Sequence, residues 1–239
     1  MLKYEELKKN KKQFLALTGL TVEEFEKLLL VFIRVYERKH PPDKTLKDKK
    51  RKRRVGGGRG SEIKSHEQKL LFTLVYHKSY PLQELMAVLF GMDQGQVNRW
   101  IHRLLPVVKD ALDEMGVLPE REPSKFAKHE RAKGNSAELI IDGVDRRRQR
   151  PKDKEKQKLH YSGKKTHSDK NVVIVNANNK RIGYLSTTYA GKVHDKKIVE
   201  QEKISYPRKT TLYKDTGFQG YEPPKVKTQQ PKKSHVKGN

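Results

Sequence analysis

The chain has 239 residues, of which 54 are lysine or arginine and 29 are aspartate or glutamate, so its formal charge is +25. It has no cysteine, which excludes disulfides and zinc fingers and fits a reducing cytoplasm, with nucleoid association expected if the source is bacterial. It shows no signal-peptide pattern and no apolar run of membrane-spanning length, so we expect no membrane association, and its charge favours nucleic acid as the partner.

The N-terminal region, residues 1–43, is predicted to contain a helical segment at 11–37. Apolar residues recur at helical spacing over 25–36. Thr21 and Glu24 have the spacing of a capping box, which marks the start of a helix.

A basic, glycine-rich segment at 44–60 follows a helix stop at His40-Pro41-Pro42. Two compatible interpretations remain for this segment. It is a solvated linker, or it is an arm that holds DNA phosphates and gains affinity by releasing counterions.

Residues 61–120 are predicted to form a helix-turn-helix DNA-binding domain. Ser65 caps a first helix, Pro81 opens a second, Phe90-Gly91-Met92 forms a tight turn, and Asp93 caps a third. Two helices, a glycine-containing turn and a further helix are the pattern of this motif. The alternative is an ordinary three-helix bundle with a polar outer face.

The third helix of this region is the candidate DNA-reading helix. Glutamine and asparagine suit adenine edges, and arginine suits guanine or phosphate. The side chains offered for these contacts are Gln94, Gln96, Asn98, Arg99 and Arg103.

An α/β domain is predicted at 136–222, after a linker at 121–135. A short apolar run at 139–141 indicates a buried strand with Asp142 at its C-terminal end. The alternative is that Asp142 and the glycine after it form a hairpin turn. A later strand at 210–214 ends in the same way, at Asp215.

The elements between these aspartates are predicted to be a strand pair, at 171–176 and 181–187, and a helix at 196–202. If the last strand lies beside the first, the two carboxylates converge at one edge of the sheet. Carboxylate oxygens suit Mg²⁺, and metal sites of this kind serve phosphodiester chemistry.

A basic loop at 146–165 would then lie where a phosphate backbone enters the site. Its candidate DNA contacts are Arg148, Arg150, Lys164 and Lys165. The segment 223–239 is rich in lysine and glutamine and is predicted to be a disordered basic tail.

The order of several short motifs resembles that of a known family. The residues that carry the resemblance are Ile141-Asp142-Gly143, Gln149-Arg150-Pro151, Tyr161-Ser162-Gly163-Lys164-Lys165, Gly191-Lys192-Val193-His194-Asp195 and Asp215-Thr216-Gly217-Phe218-Gln219-Gly220, with Asn98-Arg99-Trp100-Ile101-His102 in the helical part. The chain resembles DDE-superfamily transposases of the Harbinger-related insertion-sequence group.

The resemblance implies a ribonuclease H-like fold for the second domain and metal-dependent DNA cleavage and strand transfer. It implies Asp142 and Asp215 as the first and second catalytic carboxylates, which would bind Mg²⁺ or Mn²⁺. The family often has a His-Asp pair where His194 and Asp195 stand, which makes these two additional candidates. The alternative is that Asp195 caps a helix and that His194 contacts DNA or orients that cap.

The third catalytic ligand of the family is a glutamate on a later helix, and it has no clear counterpart here. Glu222 is the sole acidic residue after Asp215, and it stands in a turn before two prolines. We therefore expect an incomplete ribonuclease H-like domain, from a truncated gene, from one half of a frameshifted product or from a fragment completed by a second polypeptide. We expect the isolated chain to bind DNA and to be weak or inactive as an endonuclease.

The functional hypothesis is a transposase that binds double-stranded DNA at element ends and at a target, with a homodimer expected from the need to join two ends. One alternative is a non-catalytic DNA-binding relic or repressor derived from a transposase. Another is an RNA-binding or ribosome-associated basic protein, which fits the charge but does not explain the paired aspartates.

Overall fold

The computed structural model of the protein describes residues 1–42, 50, 62–132, 138–163 and 166–231. It divides into two compact units, Met1–Val117 and Leu118–Asn239. The first unit is helical and the second is built on a mixed sheet, which confirms the predicted two-domain α+β fold class. Apart from Lys50, the predicted basic segment 44–60 lies outside the described residues. Among the helices that are described, none combines the length and the apolar content needed to cross a bilayer.

The first unit contains six helices in its described part. They are α1 (Tyr4–Leu7), α2 (Lys11–Thr18), α3 (Val22–Lys39), α4 (His66–Ser79), α5 (Gln83–Phe90) and α6 (Gln94–Glu114). Phe14, Phe25 and Phe32 are fully buried in its core, and the ring of Tyr4 stacks on that of Phe25 with centroids 5.0 Å apart. The N-terminal helices therefore share one core with the helix-turn-helix region.

The starts of the helices follow the predicted capping residues. Thr21 and Asp93 each form a full capping box, with the third residue of α3 and of α6 respectively. Ser65 caps α4 through its side chain. The predicted segment 11–37 is two helices rather than one, because Gly19 ends α2 in the left-handed conformation, with φ of 76°.

The second unit has three α-helices and six strands in its described part. In chain order they are α7 (Phe126–Ala132), β1 (Glu138–Arg147), α8 (Lys154–His160), β2 (Ser168–Asn176), β3 (Ile182–Leu185), β4 (Tyr189–Ala190), α9 (Asp195–Glu202), β5 (Thr210–Lys214) and β6 (Val226–Gln229). The sheet order is β3-β2-β1-β5-β6, with β4 paired to β2. Strands β1, β2 and β3 are antiparallel neighbours, whereas β5 is parallel to β1 and β6 is parallel to β5. This mixed sheet with helices is consistent with the predicted ribonuclease H-like fold.

Strand β1 extends further than predicted, so Asp142 lies within it and not at its end. Its antiparallel pairing with β2 continues past Asp142 as far as Arg147 opposite Ser168. This pairing rules out a hairpin turn at Asp142 and Gly143. The shorter parallel pairing with β5 does stop at Ile141 opposite Lys214, immediately before both aspartates.

Residues 121–132, predicted as part of a linker, instead pack in the second unit. Phe126 of α7 is fully buried in the core of this unit. The backbone of Glu120, just before this segment, donates to the carbonyl of Gly183 at 2.8 Å and accepts from the N–H of Leu185 at 3.0 Å. Pro119 and Pro123 flank the short segment around Glu120 that pairs with the edge of β3.

The predicted disordered tail at 223–239 is also corrected, because Val226–Gln229 form β6. The carboxylate of Glu222 accepts hydrogen bonds from Lys214 on β5, at 2.6 Å, and from the hydroxyl of Thr228 on β6. The lysine- and glutamine-rich tail has two valines, ten residues apart, and shows no strand pattern, yet backbone pairing to β5 needs none. Residues 232–239 lie outside the described part of the chain.

Helix α9 is held on the sheet by a buried carboxylate. Glu202 accepts hydrogen bonds from the hydroxyls of Thr187 and Tyr189, each at 2.7 Å, and from the hydroxyl of Tyr184. Tyr184 is fully buried, and the carboxylate beside it raises the pKa of its phenol further after burial has raised it. The network fixes the C-terminal end of α9 against the strands, and thereby the position of Asp195 at its start.

We expect Glu202→Ala to lower the free energy of unfolding by about 2–4 kcal/mol, because it leaves buried hydroxyls without an ionised acceptor. Chemical denaturation monitored by circular dichroism measures this change. Glu200→Ala on the same helix is the matched control, because Glu200 is exposed and its contact with Lys196 is a 3.6 Å surface pair. Equal effects of the two substitutions would contradict the anchoring role of Glu202.

The same network predicts an acid-sensitive part of the stability. Burial alone would raise the pKa of Glu202, but the hydrogen bonds from Tyr184, Tyr189 and Thr187 outweigh it and hold this pKa below its ordinary value. The ionised group therefore stabilises the fold above the ordinary glutamate pKa, and this contribution disappears as the pH falls through the lowered folded-state pKa. The difference in unfolding free energy between the parent protein and Glu202→Gln should shrink between about pH 6 and about pH 3. A difference that stays constant over this range would show that the charge of Glu202 contributes nothing.

Candidate functional site

Asp142 and Asp215 lie side by side at one edge of the sheet. They directly follow Ile141 and Lys214, which are opposite each other in the parallel pair of β1 and β5. Both aspartates line one cleft of about 640 Å³, together with residues at the end of β6. The structure therefore brings together the two carboxylates that the sequence predicted would converge.

Each carboxylate is oriented by a glycine that follows it. The backbone N–H of Gly143 donates to Oδ1 of Asp142 at 2.7 Å, and that of Gly217 donates to Oδ1 of Asp215 at 2.9 Å. Within the described part of the chain, no donor contacts Oδ2 of either aspartate. One oxygen of each carboxylate fixes its orientation, and the other is available to a ligand.

Asp195 lies against the backbone of Gly143 and near that of Gly217, the two glycines that donate to Asp142 and Asp215. A Cβ atom on Gly143 would lie 2.8 Å from Cγ of Asp195 and within 3.0 Å of both carboxylate oxygens. A Cβ atom on Gly217 would lie 3.6 Å from Oδ2 of Asp195. The glycines that follow the two catalytic candidates therefore leave room for the Asp195 carboxylate between them.

Asp195 is the first residue of α9 and not its cap, so its alternative capping role is wrong. His194 occupies the capping position, but its exposed imidazole makes no capping hydrogen bond. The Asp195 carboxylate instead pairs with Nζ of Lys170, on β2, at 3.1 Å. The lysine is largely buried, with 14% of its side chain exposed, so the Asp195 charge is partly neutralised beside the two aspartates.

Glu222 does not supply the third carboxylate. One of its oxygens pairs with Lys214 at 2.6 Å, and that lysine side chain is almost fully buried. The same ammonium donates to the backbone carbonyl of Tyr221 at 2.6 Å. Glu222 therefore neutralises a buried lysine on β5 and holds the loop between β5 and β6.

The donor set at the sheet edge fits a hard divalent cation in part. Among the described residues, no group of three or more histidine, cysteine, aspartate or glutamate side chains is arranged to hold a metal ion. Two carboxylates remain, and Mg²⁺ is usually bound by one or two carboxylates together with water and substrate phosphates. Asp142 and Asp215 meet this requirement through their available Oδ2 atoms.

In the helical unit, three of the five predicted DNA-reading side chains are placed for contact near the start of α6. Gln94 and Arg99 are exposed, and Asn98 is partly so. Gln94 and Asn98 both donate to Oε1 of Gln83 on α5, at 2.5 and 3.4 Å, which aligns their amides. Gln96 is engaged in the capping box of α6, where its Oε1 accepts from the N–H of Asp93 at 3.3 Å.

Arg103 packs inside the helical unit instead of extending toward a ligand. Its guanidinium lies over the rings of Trp100 and Tyr36, 5.2 and 5.6 Å from their centroids. Its Nε is buried and has no hydrogen-bond partner among the described residues. Because the guanidinium packs on these two rings, we leave Arg103 out of the proposed DNA-contacting set. Helical spacing alone did not show that Tyr36, on α3, lies against it.

The basic side chains after β1 are exposed but not all free. Arg148 donates to Oδ1 of Asp169 at 2.9 Å, and His160 contacts both of these residues. Arg150 makes two hydrogen bonds to Gln157 on α8. Lys164 and Lys165, also predicted to contact DNA, lie outside the described residues.

Lys170 is the residue of this site that sequence reasoning missed as a functional candidate. It stands in β2, and nothing local in the sequence indicates that its ammonium meets the carboxylate of Asp195. The ion pair between Lys170 and Asp195 could be recognised only once the positions of β2 and α9 in the fold were known.

Comparison with protein-family models gives two matches, in the order of the two units. The model for the helix-turn-helix of DDE superfamily endonucleases matches residues 65–114, and the model for DDE superfamily endonucleases matches residues 141–239. The chain belongs to the DDE superfamily of endonucleases. No significant match was found among curated proteins or among solved structures. The helix-turn-helix match spans α4, α5 and α6 of this DDE protein, and the endonuclease match contains Asp142, Asp195 and Asp215.

We expect Gly143→Ala in this DDE protein to lower the free energy of unfolding by about 1–3 kcal/mol, because the new methyl group overlaps the Asp195 carboxylate. Chemical denaturation measures the change. The matched experiment repeats the substitution in an Asp195→Ala background, where the overlap is absent and the destabilisation should largely disappear. The same loss in both backgrounds would show that Asp195 does not lie against Gly143.

Proposed function

We propose that the second unit cleaves DNA with the help of a divalent cation and that the first unit holds the duplex, as in a transposase of an insertion sequence. The observation that carries this proposal is the placement of Asp142 and Asp215 directly after the last residue pair of the parallel pairing of β1 with β5, where both line one cleft. The match of this region to the DDE endonuclease model supports it.

The reaction proposed is attack of water on a phosphodiester at an element end. The water oxygen bonds to phosphorus, the P–O3′ bond breaks, and the 3′ oxygen leaves and takes up a proton. The 3′-hydroxyl so formed then gives up its proton and its oxygen bonds to a phosphorus of target DNA, while the P–O3′ bond of the target breaks and the target's 3′ oxygen leaves and takes up a proton. A bound Mg²⁺ or Mn²⁺ supplies stabilisation of negative charge at the attacked phosphate and lowers the pKa of bound water.

The roles of the protein side chains follow from their positions. Asp142 and Asp215 would hold the cation through their Oδ2 atoms, while Gly143 and Gly217 keep the carboxylates oriented. We propose that Asp195 adds negative potential at this site and that Lys170 limits it by ion pairing. If a DNA phosphate pairs with Lys170 in place of Asp195, the Asp195 charge would be less neutralised and its attraction for the cation would increase.

We propose that the start of α6 enters the major groove of the duplex, with Gln94 and Asn98 at base edges and Arg99 at a guanine or a phosphate. The net charge of +25 supplies the long-range attraction to DNA. Joining two element ends requires two active copies, so we propose a homodimer on DNA.

A second candidate is a non-catalytic DNA-binding protein that occupies element ends. It is favoured by one observation: in the described part of the chain, no third acidic side chain joins Asp142 and Asp215 in a metal-holding group. The two candidates share DNA binding and differ in cation-dependent nicking.

We expect Asp142→Asn and Asp215→Asn each to reduce cation-dependent nicking of element-end DNA by about a hundredfold or more, because each replaces one of two anionic carboxylate ligands with a neutral amide. Asp195→Asn should reduce nicking less, since Asp195 acts on the site through its charge. Nicking is measured on labelled duplex with Mg²⁺ or Mn²⁺, and duplex affinity is measured separately.

Asp113→Asn is the control for this series, because Asp113 is exposed on α6 and distant in sequence from the sheet edge. Duplex affinity should be unchanged or slightly raised in all four variants. Nicking that survives in both Asp142→Asn and Asp215→Asn would exclude the proposed site. The absence of nicking in the parent protein, with tight duplex binding retained, would favour the non-catalytic candidate.

The two arginines of α6 should behave differently. Arg99→Ala should weaken duplex binding and reduce the slope of log affinity against log salt by about one, as expected for one lost phosphate contact. Arg103→Ala should leave this slope unchanged and lower the free energy of unfolding by about 1 kcal/mol, because two ring contacts are lost. Lys109→Ala, exposed later on α6, is the control for charge alone, and an equal slope change for Arg99→Ala and Lys109→Ala would count against a specific contact at Arg99.

A further inference from the structure

A second cleft lies beyond the far ends of β1 and β2, apart from the residues assigned to the cation site. It has a volume of about 780 Å³. The side chains that matter in its walls are Arg150, Gln157, Lys158, Tyr161, His167 and Lys192. None of the three aspartates of the candidate site lines it.

The walls of this cleft are tied to the sheet. The backbone N–H of Lys192 donates to the carbonyl of Leu159, on α8, at 3.2 Å. A Cβ atom on Gly191 would lie 2.6 Å from the carbonyl oxygens of His160 and Ser168, so only glycine allows this close approach. Helix α8 is therefore packed directly on the segment that leads into α9, and the cleft between them is a formed feature of the fold.

The cleft is cationic. Arg150, Lys158 and Lys192 contribute three positive charges, and none of the described residues that line the cleft is acidic. Arg150 uses Nε and one Nη for its bonds to Gln157, at 3.0 and 2.9 Å, which leaves N–H groups of the other Nη for an anion. Lys158 pairs with Glu155 only at the surface, where both side chains are mostly exposed and such a pair holds a charge weakly.

An aromatic ring stands among these cations. Tyr161 is 44% exposed, and it is the one exposed phenylalanine or tyrosine in the described part of the second unit. The imidazole of His167 packs against it edge-on, with ring centroids 5.9 Å apart. The phenol ring is thus supported by His167 and partly exposed to solvent.

Phosphate contacts alone would not need this ring. In a duplex, the faces of the bases are covered by their neighbours, so an exposed tyrosine gains stacking only from a base that has left the stack. Proteins that bind single strands combine cationic grooves with aromatic side chains in this way. The volume of the cleft lies within the range of about 300–1,000 Å³ that is usual for small-ligand sites.

We propose that this cleft holds an unpaired nucleotide of DNA, with its phosphate against Arg150, Lys158 and Lys192 and its base stacked on Tyr161. Gln157 also lines the cleft, and its side-chain NH2 group, which makes a 3.5 Å hydrogen bond to the carbonyl of Lys152, would donate to the edge of the base. The proposal rests on the proposed function in taking DNA as the ligand, but it does not depend on the cation site. It assigns to the loop after β1 the capture of one separated strand, in addition to contact with duplex backbone.

The test uses the full chain and two labelled DNAs: a blunt duplex, and the same duplex with a short single-stranded extension that carries 2-aminopurine. Affinities come from fluorescence anisotropy, and stacking is read from quenching of 2-aminopurine. The extension should raise the affinity of the parent protein, and bound 2-aminopurine should be quenched. Tyr161→Ala should lose about tenfold in affinity for the extended DNA and lose the quenching, with blunt-duplex affinity unchanged.

Two further variants make the result decisive. Tyr161→Phe keeps the ring and should behave like the parent protein. Leu159→Ala removes a 49% exposed side chain of α8 that does not line the cleft, and it should also behave like the parent protein. Thermal unfolding of Tyr161→Ala checks that the unit remains folded.

Several outcomes would overturn the proposal. An equal loss on both DNAs would mean that the cleft contacts duplex backbone only, and no loss on either would mean that it binds no nucleotide. If Tyr161→Ala does not fold, Arg150→Gln is measured in its place. This variant should weaken binding of the extended DNA and leave binding of the blunt duplex unchanged. Equal binding of the extended DNA by Arg150→Gln and the parent protein would overturn the proposal. Failure of the cation site appears separately, as absent nicking with these affinities unchanged.

Discussion

The parallel pairing of β1 with β5 is the constraint on which the candidate site depends. It places Ile141 opposite Lys214, so that the two following aspartates, 73 positions apart in the chain, become neighbours. Because side chains alternate along a strand, a shift of one residue in this register would move one carboxylate to the other face of the sheet. The lysine next to Asp215 is buried and is neutralised by Glu222, which also contacts Thr228 on β6. The carboxylate that neutralises the buried lysine of β5 is therefore that of Glu222, the acidic residue that the sequence showed to be a poor match to the family's third catalytic ligand.

The second requirement is that α9 be fixed, and it is met by a polar network. Glu202 holds the end of this helix through three hydroxyl groups, and Asp195 at its start then fits against Gly143. A hydrophobic contact alone would hold the helix but would leave its rotation less defined. The ion pair of Asp195 with Lys170 sets the charge balance at the sheet edge. Fold stability and site electrostatics are thus coupled through one short helix.

The sequence predicted much of this architecture, and its failures have physical causes. Capping residues such as Thr21 and Asp93 located helix starts correctly, because caps are local. The sequence predicted that Asp142 and Asp215 converge because each follows a short predicted strand. The two do lie side by side, although β1 continues past Asp142. Strand β6 was missed because backbone pairing to β5 requires no apolar pattern, and Arg103 was misplaced because its ring partner lies on a distant helix. Lys170 was missed for the same reason, since its partner is 25 residues away.

The most direct test of the central claim is calorimetric titration of Mn²⁺ into the parent protein, the two single variants Asp142→Asn and Asp215→Asn, and the double variant. Two carboxylates that share one cation predict that either substitution alone abolishes most of the binding and that the double variant loses no more than the single ones. Independent, additive losses, or binding that survives in the double variant, would show that Asp142 and Asp215 do not form one cation site.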